Sequence, residues 1–447
     1  MTASDHAPGR DVGDMLALGF GTTVAMWFVG YLTHLPSAAA PGWVVFPALM
    51  LCLLAGGAAC AVFTSRGLPA AFYVGCLTGV LNLLVLGSLL VRPDDGGVMA
   101  SAVWWLPASV LLCGVVTACG AWLGRGLPWR VTGVNWPAAF ALVAGGATLL
   151  LLSVGGVVTG YQAGLAVPDW PNSYGYNMYL YPLSRMTGGI YYEHAHRLFG
   201  SLVGLTTLVL AVYLQFREPR WWVRMAAIVA LAAVVLQGVM GGLRVTGRLT
   251  LSAAPDDLAP SLTLAIAHGV FGQVFLALLA GLSVVLSRAW QAERPHVLTP
   301  TAATSRNLAA LALAVLLLQL VLGALHRHTG TNWSLLAHIM VALGVVAVVG
   351  LLAIRLWALQ AAGPRANALG FALLIALGVQ FALGFAALIV TSIEKPGEPA
   401  AIHVIVTTLH QTTGALLLGG CAAAATWCVP APARGPEPRG FPVHRAG

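Results

Sequence analysis

Charged side chains are scarce in this sequence. Lysine, arginine, aspartate and glutamate make up 8% of its residues, whereas about 25% is usual for a soluble domain. Hydrophobic residues make up 59%, and the mean hydropathy is +0.86. This composition excludes an ordinary water-soluble domain and indicates a chain whose main solvent is the lipid bilayer.

Cysteine motifs are also absent. None of the seven cysteines forms a CxxC pair, and all seven lie within long apolar stretches. The pattern excludes a disulfide framework and a cysteine-based metal site. We interpret these cysteines as small hydrophobic residues of the interior.

Long apolar runs dominate what is present. A bilayer core about 30 Å thick is crossed by roughly 20 helical residues, and twelve stretches reach that length. The predicted spans lie near 15–34, 44–65, 68–91, 98–124, 136–159, 192–216, 222–243, 261–287, 307–326, 332–356, 367–391 and 401–428. We therefore predict an all-α polytopic membrane protein with about twelve transmembrane helices.

The excess of basic residues (+8) is an orientation signal. With the N-terminus placed in the cytoplasm, fifteen of the 22 lysines and arginines fall on the inner side of the predicted topology, as the positive-inside rule requires. We expect an integral protein of a bacterial cytoplasmic membrane with both termini cytoplasmic. The bilayer is its expected surrounding, and no nucleic-acid partner is expected.

The spans fall into three groups. Residues 1–130 contain four spans with almost no ionisable group and no indicated role. Residues 131–290 and 300–430 contain four spans each, and both groups show a glycine-ended span, a histidine span, a glutamine/glycine span and a histidine span in that order. Because such repeats often place a site in each half, we predict two pseudo-symmetric four-helix bundles. A polar cytoplasmic tail is expected at 431–447.

Four intramembrane histidines, one in each of four spans, are the main functional signal. They are His196, His268, His338 and His410. At 1.5 Å per residue, all four lie within roughly 6–14 Å of the outer surface of the predicted topology. Histidine in hydrocarbon is costly and is therefore a functional candidate, and imidazoles on facing helices suit heme iron. We predict two paired-histidine heme sites; hydrogen bonding between helices is the alternative.

The segment EHAHR adds a carboxylate to this signal. On a helix, Glu193 shares a face with His196 and with Arg197, while His194 points away from that face. A partly buried Glu193 is a candidate proton acceptor. The alternative is a structural Glu193–Arg197 ion pair at the start of the helix.

Three arginines near the outer surface are candidates for pairing with heme propionates, which Arg binds in bidentate fashion. They are Arg197, Arg244 and Arg327; snorkelling to the interface is the alternative. The loop between Tyr161 and Tyr191 is a candidate lid over a cofactor cavity. Three further outer histidines, which we interpret as interfacial, are His326, His328 and His403.

Six motifs resemble, in order and spacing, those of the heme A synthase family of cytochrome oxidase assembly factors. They are GLAVPDWP, EHAHR, LQGVMGGLRVTG, LAIAHGVFGQ, LGALHRHTG and TLHQTTGALLLG. The resemblance covers about residues 136–429. The combination of EHAHR with PDWP is specific, whereas a lone HxxxG is not.

The resemblance implies an oxidoreductase that hydroxylates the C8 methyl of heme O successively to a formyl group, giving heme A. The substrate heme O would lie between His196 and His268, with Glu193 as the catalytic carboxylate. The other pair, His338 and His410, would hold a heme b that passes electrons. Implied partners are heme O, heme O synthase and cytochrome oxidase assembly proteins.

Two departures from the family pattern stand out. The outer loops lack the cysteine pair of some members, which excludes a thiol-based step, and Ile339 follows His338 where the first half has an arginine. The four N-terminal spans lie outside the resemblance.

Two other classes of protein remain as alternatives. One is a di-heme electron carrier that leaves its heme unmodified, and the other is a transporter, because the repeat is typical of transporters. The shared depth of the four histidines near one surface favours the synthase over both.

Overall fold

The computed structural model describes residues 12–92, 97–247, 261–293, 300–358, 364–393, 397 and 399–429. Within these residues the chain forms thirteen α-helices and no β-strand. The helices are α1 (Gly13–Thr33), α2 (Gly42–Phe63), α3 (Gly67–Leu86), α4 (Ala102–Gly124), α5 (Trp136–Gly160), α6 (Gly188–Arg217), α7 (Trp221–Thr246), α8 (Leu262–Leu286), α9 (Arg288–Glu293), α10 (Pro300–Thr329), α11 (Asn332–Ala358), α12 (Pro364–Ser392) and α13 (Ala401–Trp427).

Twelve of these helices, all except the short α9, are long and apolar enough to cross a membrane. The predicted all-α membrane fold and the number of spans are confirmed. Several ends differ from the prediction: α6 begins at Gly188 instead of residue 192, and α10 begins at Pro300 instead of residue 307. The apolar pattern does not include these extra turns, because a helix continues beyond its hydrocarbon-spanning part. The expected tail at 431–447 lies outside the described residues.

The last eight spans form two closed rings of four helices. In the first ring, α5, α6, α7 and α8 pack in sequence, and α8 returns to α5. In the second, α10, α11, α12 and α13 pack in the same cyclic order. Each helix of one ring thus has an equivalent in the other. The rings lie within the proposed domains 131–290 and 300–430.

The two rings meet at a seam formed mainly by α5, α8 and α13. Polar side chains bond across it between α5 and α13. The Oγ of Ser153 lies 3.1 Å from the Oγ1 of Thr412, and the Nε2 of Gln411 donates to the carbonyl of Leu152 at 3.2 Å. Gln411 directly follows His410, so the seam runs beside a predicted ligand.

The four N-terminal spans join the first ring through α1, which shares a hydrophobic core with α5 and α6. Aromatic rings form this contact: Tyr31 stacks on Tyr191 with centroids 5.6 Å apart, and Trp27 meets Phe199 edge-on at 5.6 Å. The Tyr191 hydroxyl donates to the Tyr31 carbonyl at 2.7 Å. The N-terminal group is therefore docked onto the helix that carries the EHAHR segment.

Candidate functional site

The structure brings the four predicted histidines together as two pairs. His196 on α6 faces His268 on α8, with ring centroids 6.3 Å apart and planes at 79°. His338 on α11 faces His410 on α13, with centroids 6.2 Å apart and planes at 79°. The same geometry therefore occurs once in each ring, at equivalent helices.

The spacing within each pair fits an iron atom between two imidazoles. With metal–nitrogen bonds of about 2 Å, the centroids of two ligating rings lie about 6 Å apart. No group of three or more histidine, cysteine or acidic side chains able to hold a metal occurs among the described residues. Two facing imidazoles at this distance are a donor set that suits a heme iron.

Each histidine ring lies against a glycine of the preceding helix in its ring. A Cβ atom at that glycine would come within 2.8–3.3 Å of the Cε1 atom of the imidazole. The four glycine–histidine pairs are Gly155–His196, Gly241–His268, Gly323–His338 and Gly384–His410. A side chain at Gly323 would force the ring or the helix to move, and at the other three glycines the contact would be tighter than usual, so the four glycines allow the imidazoles to approach the preceding helix closely.

A backbone carbonyl one turn before the glycine faces each ring. The Nδ1 of His338 lies 3.1 Å from the Gln319 carbonyl oxygen. The rings of the other three histidines interact with the equivalent carbonyls, although their Nδ1 atoms fall outside strict hydrogen-bond geometry. Those three carbonyls belong to Leu151, Gln237 and Gln380. Such a carbonyl contact on Nδ1 favours the tautomer that leaves Nε2 available as a ligand.

Sequence reasoning missed these supporting residues. A signal was present, because glutamine precedes the ring-contacting glycine by four residues in three of the four cases: Gln237 before Gly241, Gln319 before Gly323 and Gln380 before Gly384. In α5 the equivalent position is Leu151. The repeated QxxxG pattern identifies the face of the helix that a histidine contacts.

The EHAHR segment holds the outer loop as well as contributing one imidazole. The Nη2 of Arg197 lies 2.8 Å from the Oε1 of Glu193, and the backbone N–H of Val167 donates to its Oε2 at 2.8 Å. On the other face, the Nδ1 of His194 lies 3.0 Å from the Oγ of Ser173. Three of the four polar residues of the motif therefore bind the loop, and His196 enters the site.

Arg197 is the main residue that holds this loop to α6. Its guanidinium donates to the carbonyls of Val167, Asp169 and Asn172 at 2.6–3.0 Å, besides its ion pair with Glu193. These bonds cross from α6 to the GLAVPDWP segment. The structural ion pair, which the sequence offered as an alternative, is thus present. The predicted contact of Arg197 with a heme propionate stays a prediction.

Asp169 and Tyr174 fold the loop on itself. The fully buried Asp169 carboxylate accepts from the backbone N–H groups of Tyr174 and Gly175 at 2.7 and 2.8 Å. Burial, together with the charges of Glu193 and Asp169, raises the pKa of Tyr174. Its hydroxyl therefore stays protonated and donates to the Ala166 carbonyl.

The loop also reaches α7 beside the first histidine pair. The indole of Trp170 packs against the backbone at Gly242, where any side chain would overlap it. Gly242 follows the glycine that contacts His268. The loop thus packs beside the first pair, whereas only Gly330 and Thr331 connect α10 to α11 in the second ring.

We expect Arg197→Leu to release this loop. Removing one partner of a buried ion pair costs about 3–5 kcal/mol, and the side chains of Arg197 and Glu193 are only 9% and 4% exposed. Limited proteolysis of the purified protein should then cleave within 161–187 much faster than in the unsubstituted chain. Arg217→Leu, at the far end of the same helix, is the control and should leave the loop resistant. Equal resistance in both variants would contradict the fastening role.

The other outer cations and histidines fall into different surroundings. Arg244 lies against Gly164 of the loop and interacts electrostatically with Glu193 and both histidines of the first pair. The predicted contact of Arg244 with a heme propionate stays a prediction. Neither His326, whose Nδ1 lies 3.4 Å from the Oγ of Ser334, nor His328 joins a histidine pair. The third of these histidines, His403, is 6% exposed in α13.

Fold and site together define a class: an integral membrane protein with a duplicated four-helix ring and an imidazole pair in each copy. Residues 138–335 match the COX15-CtaA family of cytochrome oxidase assembly proteins, so the predicted resemblance is confirmed over this segment. The match includes Glu193, His196 and His268 and ends before His338. Searches of curated proteins and of solved structures found no match.

Proposed function

We propose that the protein is a heme A synthase, which oxidises the C8 methyl of heme O to a formyl group by successive hydroxylation. The observation that carries this proposal is the His196–His268 pair beside the GLAVPDWP loop that Glu193 and Arg197 hold. The pair lies inside the segment that matches the cytochrome oxidase assembly family. A loop held next to the pair supports a reaction on the cofactor itself, because such a reaction needs the reacting group kept away from bulk water.

The donor set of each ring fits a heme. His196 and His268 would hold heme O as substrate, and His338 and His410 would hold heme b. Bound iron porphyrin supplies the redox chemistry at both sites. We infer that Arg244 binds a propionate of the substrate heme, since its guanidinium lies against Gly164 of the loop and interacts electrostatically with both histidines of the first pair.

Glu193 is the proposed proton acceptor at the first site. Its carboxylate accepts from the Arg197 guanidinium and from the Val167 N–H, both at 2.8 Å. Both bonds fix the orientation of the carboxylate. The same bonds hold the loop, so the residue has a positioning effect in addition to the proposed acid–base one.

Expression of the chain in membranes supplied with heme O tests the function. We expect heme A to appear in pigment extracts and to be lost in Glu193→Ala. Bound heme b with no new pigment would overturn the proposal and favour a di-heme electron carrier.

Glu193→Gln separates the two effects of this residue. Glutamine retains an oxygen that can accept from the Val167 N–H, but its neutral amide cannot act as a proton acceptor. Loss of heme A formation with a loop that resists protease better than in Arg197→Leu is the expected result, because glutamine can still accept from the Val167 N–H. Loss of both would assign Glu193 to loop positioning alone.

A further inference from the structure

An apolar cavity of about 300 Å³ lies where the two rings meet, away from both histidine pairs. It is lined by α7 and α8 of the first ring and by α10 and α13 of the second. Along α8 the lining runs from Ala277 to Val285. Ala277 lies nine residues beyond His268, which is about 14 Å along the helix. The cavity is therefore separate from the proposed heme sites.

The cavity has the depth of one lipid leaflet. From Ala277 to Val285 the axis of α8 rises by about 12 Å, and half of a bilayer core is about 15 Å thick. The helix ends one residue beyond Val285, at Leu286. The cavity thus reaches the membrane surface at the end of the bundle remote from the histidines, and a ligand enters it from that leaflet.

The lining of the cavity suits an alkyl chain. Small residues on α8 and α13, among them Ala277, Gly281 and Ala425, leave the space. The hydroxyl of Thr426, which also lines the cavity, donates to the Ala422 carbonyl at 2.8 Å. A polar headgroup or a quinone ring would lose its hydrogen bonds to water in such surroundings, which is costly. An acyl chain has no such bonds to lose.

Arginines stand at the membrane-surface end of this cavity. Arg306 precedes the lining residue Leu313 by seven residues, so that two helical turns separate them on one face of α10. Arg288 begins α9, three residues beyond Val285. The side chains of both arginines are exposed. They provide positive charge at the depth where the phosphate of a lipid lies.

A third arginine, Arg220, shapes the cavity without adding net charge. Its guanidinium lies over the ring of the lining residue Trp222, 5.6 Å from the centroid, and donates to the Val285 carbonyl at 3.1 Å. Glu218 forms an ion pair with it at 2.6 Å. Arg220 therefore joins α7 to α8 beside the cavity, and the charge for a ligand is left to Arg288 and Arg306.

We propose that the cavity binds an acyl chain of one anionic phospholipid, whose phosphate lies at Arg288 and Arg306. The predicted topology places this end of the bundle on the cytoplasmic side, where anionic lipids attract basic residues and bind in basic pockets between helices. The chain would contact helices of both rings, so the lipid stabilises their association. The inference does not depend on the proposed catalytic function.

Lipid titration of the purified, delipidated full-length protein tests the proposal. The probes are phosphatidylglycerol, which is anionic, and phosphatidylcholine with the same acyl chains, which carries no net charge. Native mass spectrometry should show one retained phosphatidylglycerol. The same lipid should raise the unfolding temperature, because a ligand of the folded state stabilises it. Equal retention of both lipids would overturn the proposal.

Arg306→Gln tests the contribution of charge. One basic residue near the membrane surface changes affinity for anionic lipid about fivefold, so retention of phosphatidylglycerol should weaken by about that factor. Arg125→Gln is the control, because Arg125 is also an exposed arginine but follows α4 in the N-terminal group. An equal loss in both variants would indicate general attraction to the membrane and would contradict a specific site.

Ala226→Leu tests the cavity itself. Leucine at this lining position of α7 occupies part of the space, so the retained lipid and its thermal shift should be lost. Ala232→Leu is the control, because this alanine is exposed on the same helix. Unchanged retention in Ala226→Leu, or displacement of the lipid by an isoprenoid quinone, would show that the occupant is wrong. If Ala226→Leu does not fold, the comparison of Arg306→Gln with Arg125→Gln decides.

Discussion

Replacing His338 with alanine should remove the heme of the second site and retain that of the first. The substitution deletes one of two facing ligands. Among the described residues, no further candidate ligand forms a group with the remaining His410. The loss of affinity should exceed the about 10- to 100-fold change typical of outer-shell substitutions at metal sites. The heme-to-protein ratio of the purified variant, measured by pigment extraction, should fall from two to one.

His196→Ala is the reciprocal variant and should remove the other heme. The two remaining spectra should sum to that of the unsubstituted protein. His328→Ala is the control, because this residue belongs to neither pair. A ratio that stays at two in His338→Ala would refute the assignment of that pair to a heme.

Gly323→Ala should weaken heme binding at the second site without touching a ligand. The new Cβ would lie 2.8 Å from the Cε1 of His338, which forces the ring or the helix to move. A shifted imidazole no longer points at its partner, so we expect about a 10- to 100-fold loss of affinity. Heme titration of the protein followed by its absorption spectrum measures the change.

A matched substitution separates this effect from a general response of the helices. A Cβ at Gly378, on α12 of the same ring, would have no neighbour within 4 Å. Because alanine favours a helix over glycine by about 1 kcal/mol, Gly378→Ala should leave heme affinity unchanged and slightly stabilise the protein. If both variants lose heme equally, the steric argument is wrong.

The number of spans and the pairing of histidines could be predicted because both follow from local sequence. A stretch such as 136–159 is too long and too apolar for anything except a membrane helix, and α5 (Trp136–Gly160) is found there. The histidine pairs followed from a shared depth and a repeated order. Neither inference required knowledge of how the helices are rotated about their axes.

The supporting shell could not be predicted in the same way. That Gly155 contacts His196, or that Gln319 meets both nitrogens of His338, depends on which faces of two helices meet. The QxxxG pattern indicated the relevant face but not its neighbour. For EHAHR, the sequence allowed both a proton acceptor and an ion pair at Glu193. The structure contains the ion pair with Arg197, and only the tertiary packing shows that both side chains also bind the loop.

The docking of the N-terminal spans was likewise beyond the sequence. Tyr31 and Trp27 read as ordinary aromatic residues of a membrane helix, and their contacts with Tyr191 and Phe199 arise from tertiary packing. These contacts connect the N-terminal spans, which lie outside the family match, to α6, the helix that carries His196.

The polar bonds between α5 and α13 bear on whether half of the duplicated bundle can exist alone. Ser153 and Thr412 satisfy each other, and Gln411 satisfies the Leu152 carbonyl, all at the boundary between the rings. If the halves were parted, these bonds would be lost and the Gln411 carboxamide would face hydrocarbon, where an unsatisfied polar group costs several kcal/mol. The bonds across the seam therefore favour assembly of the two rings as one body.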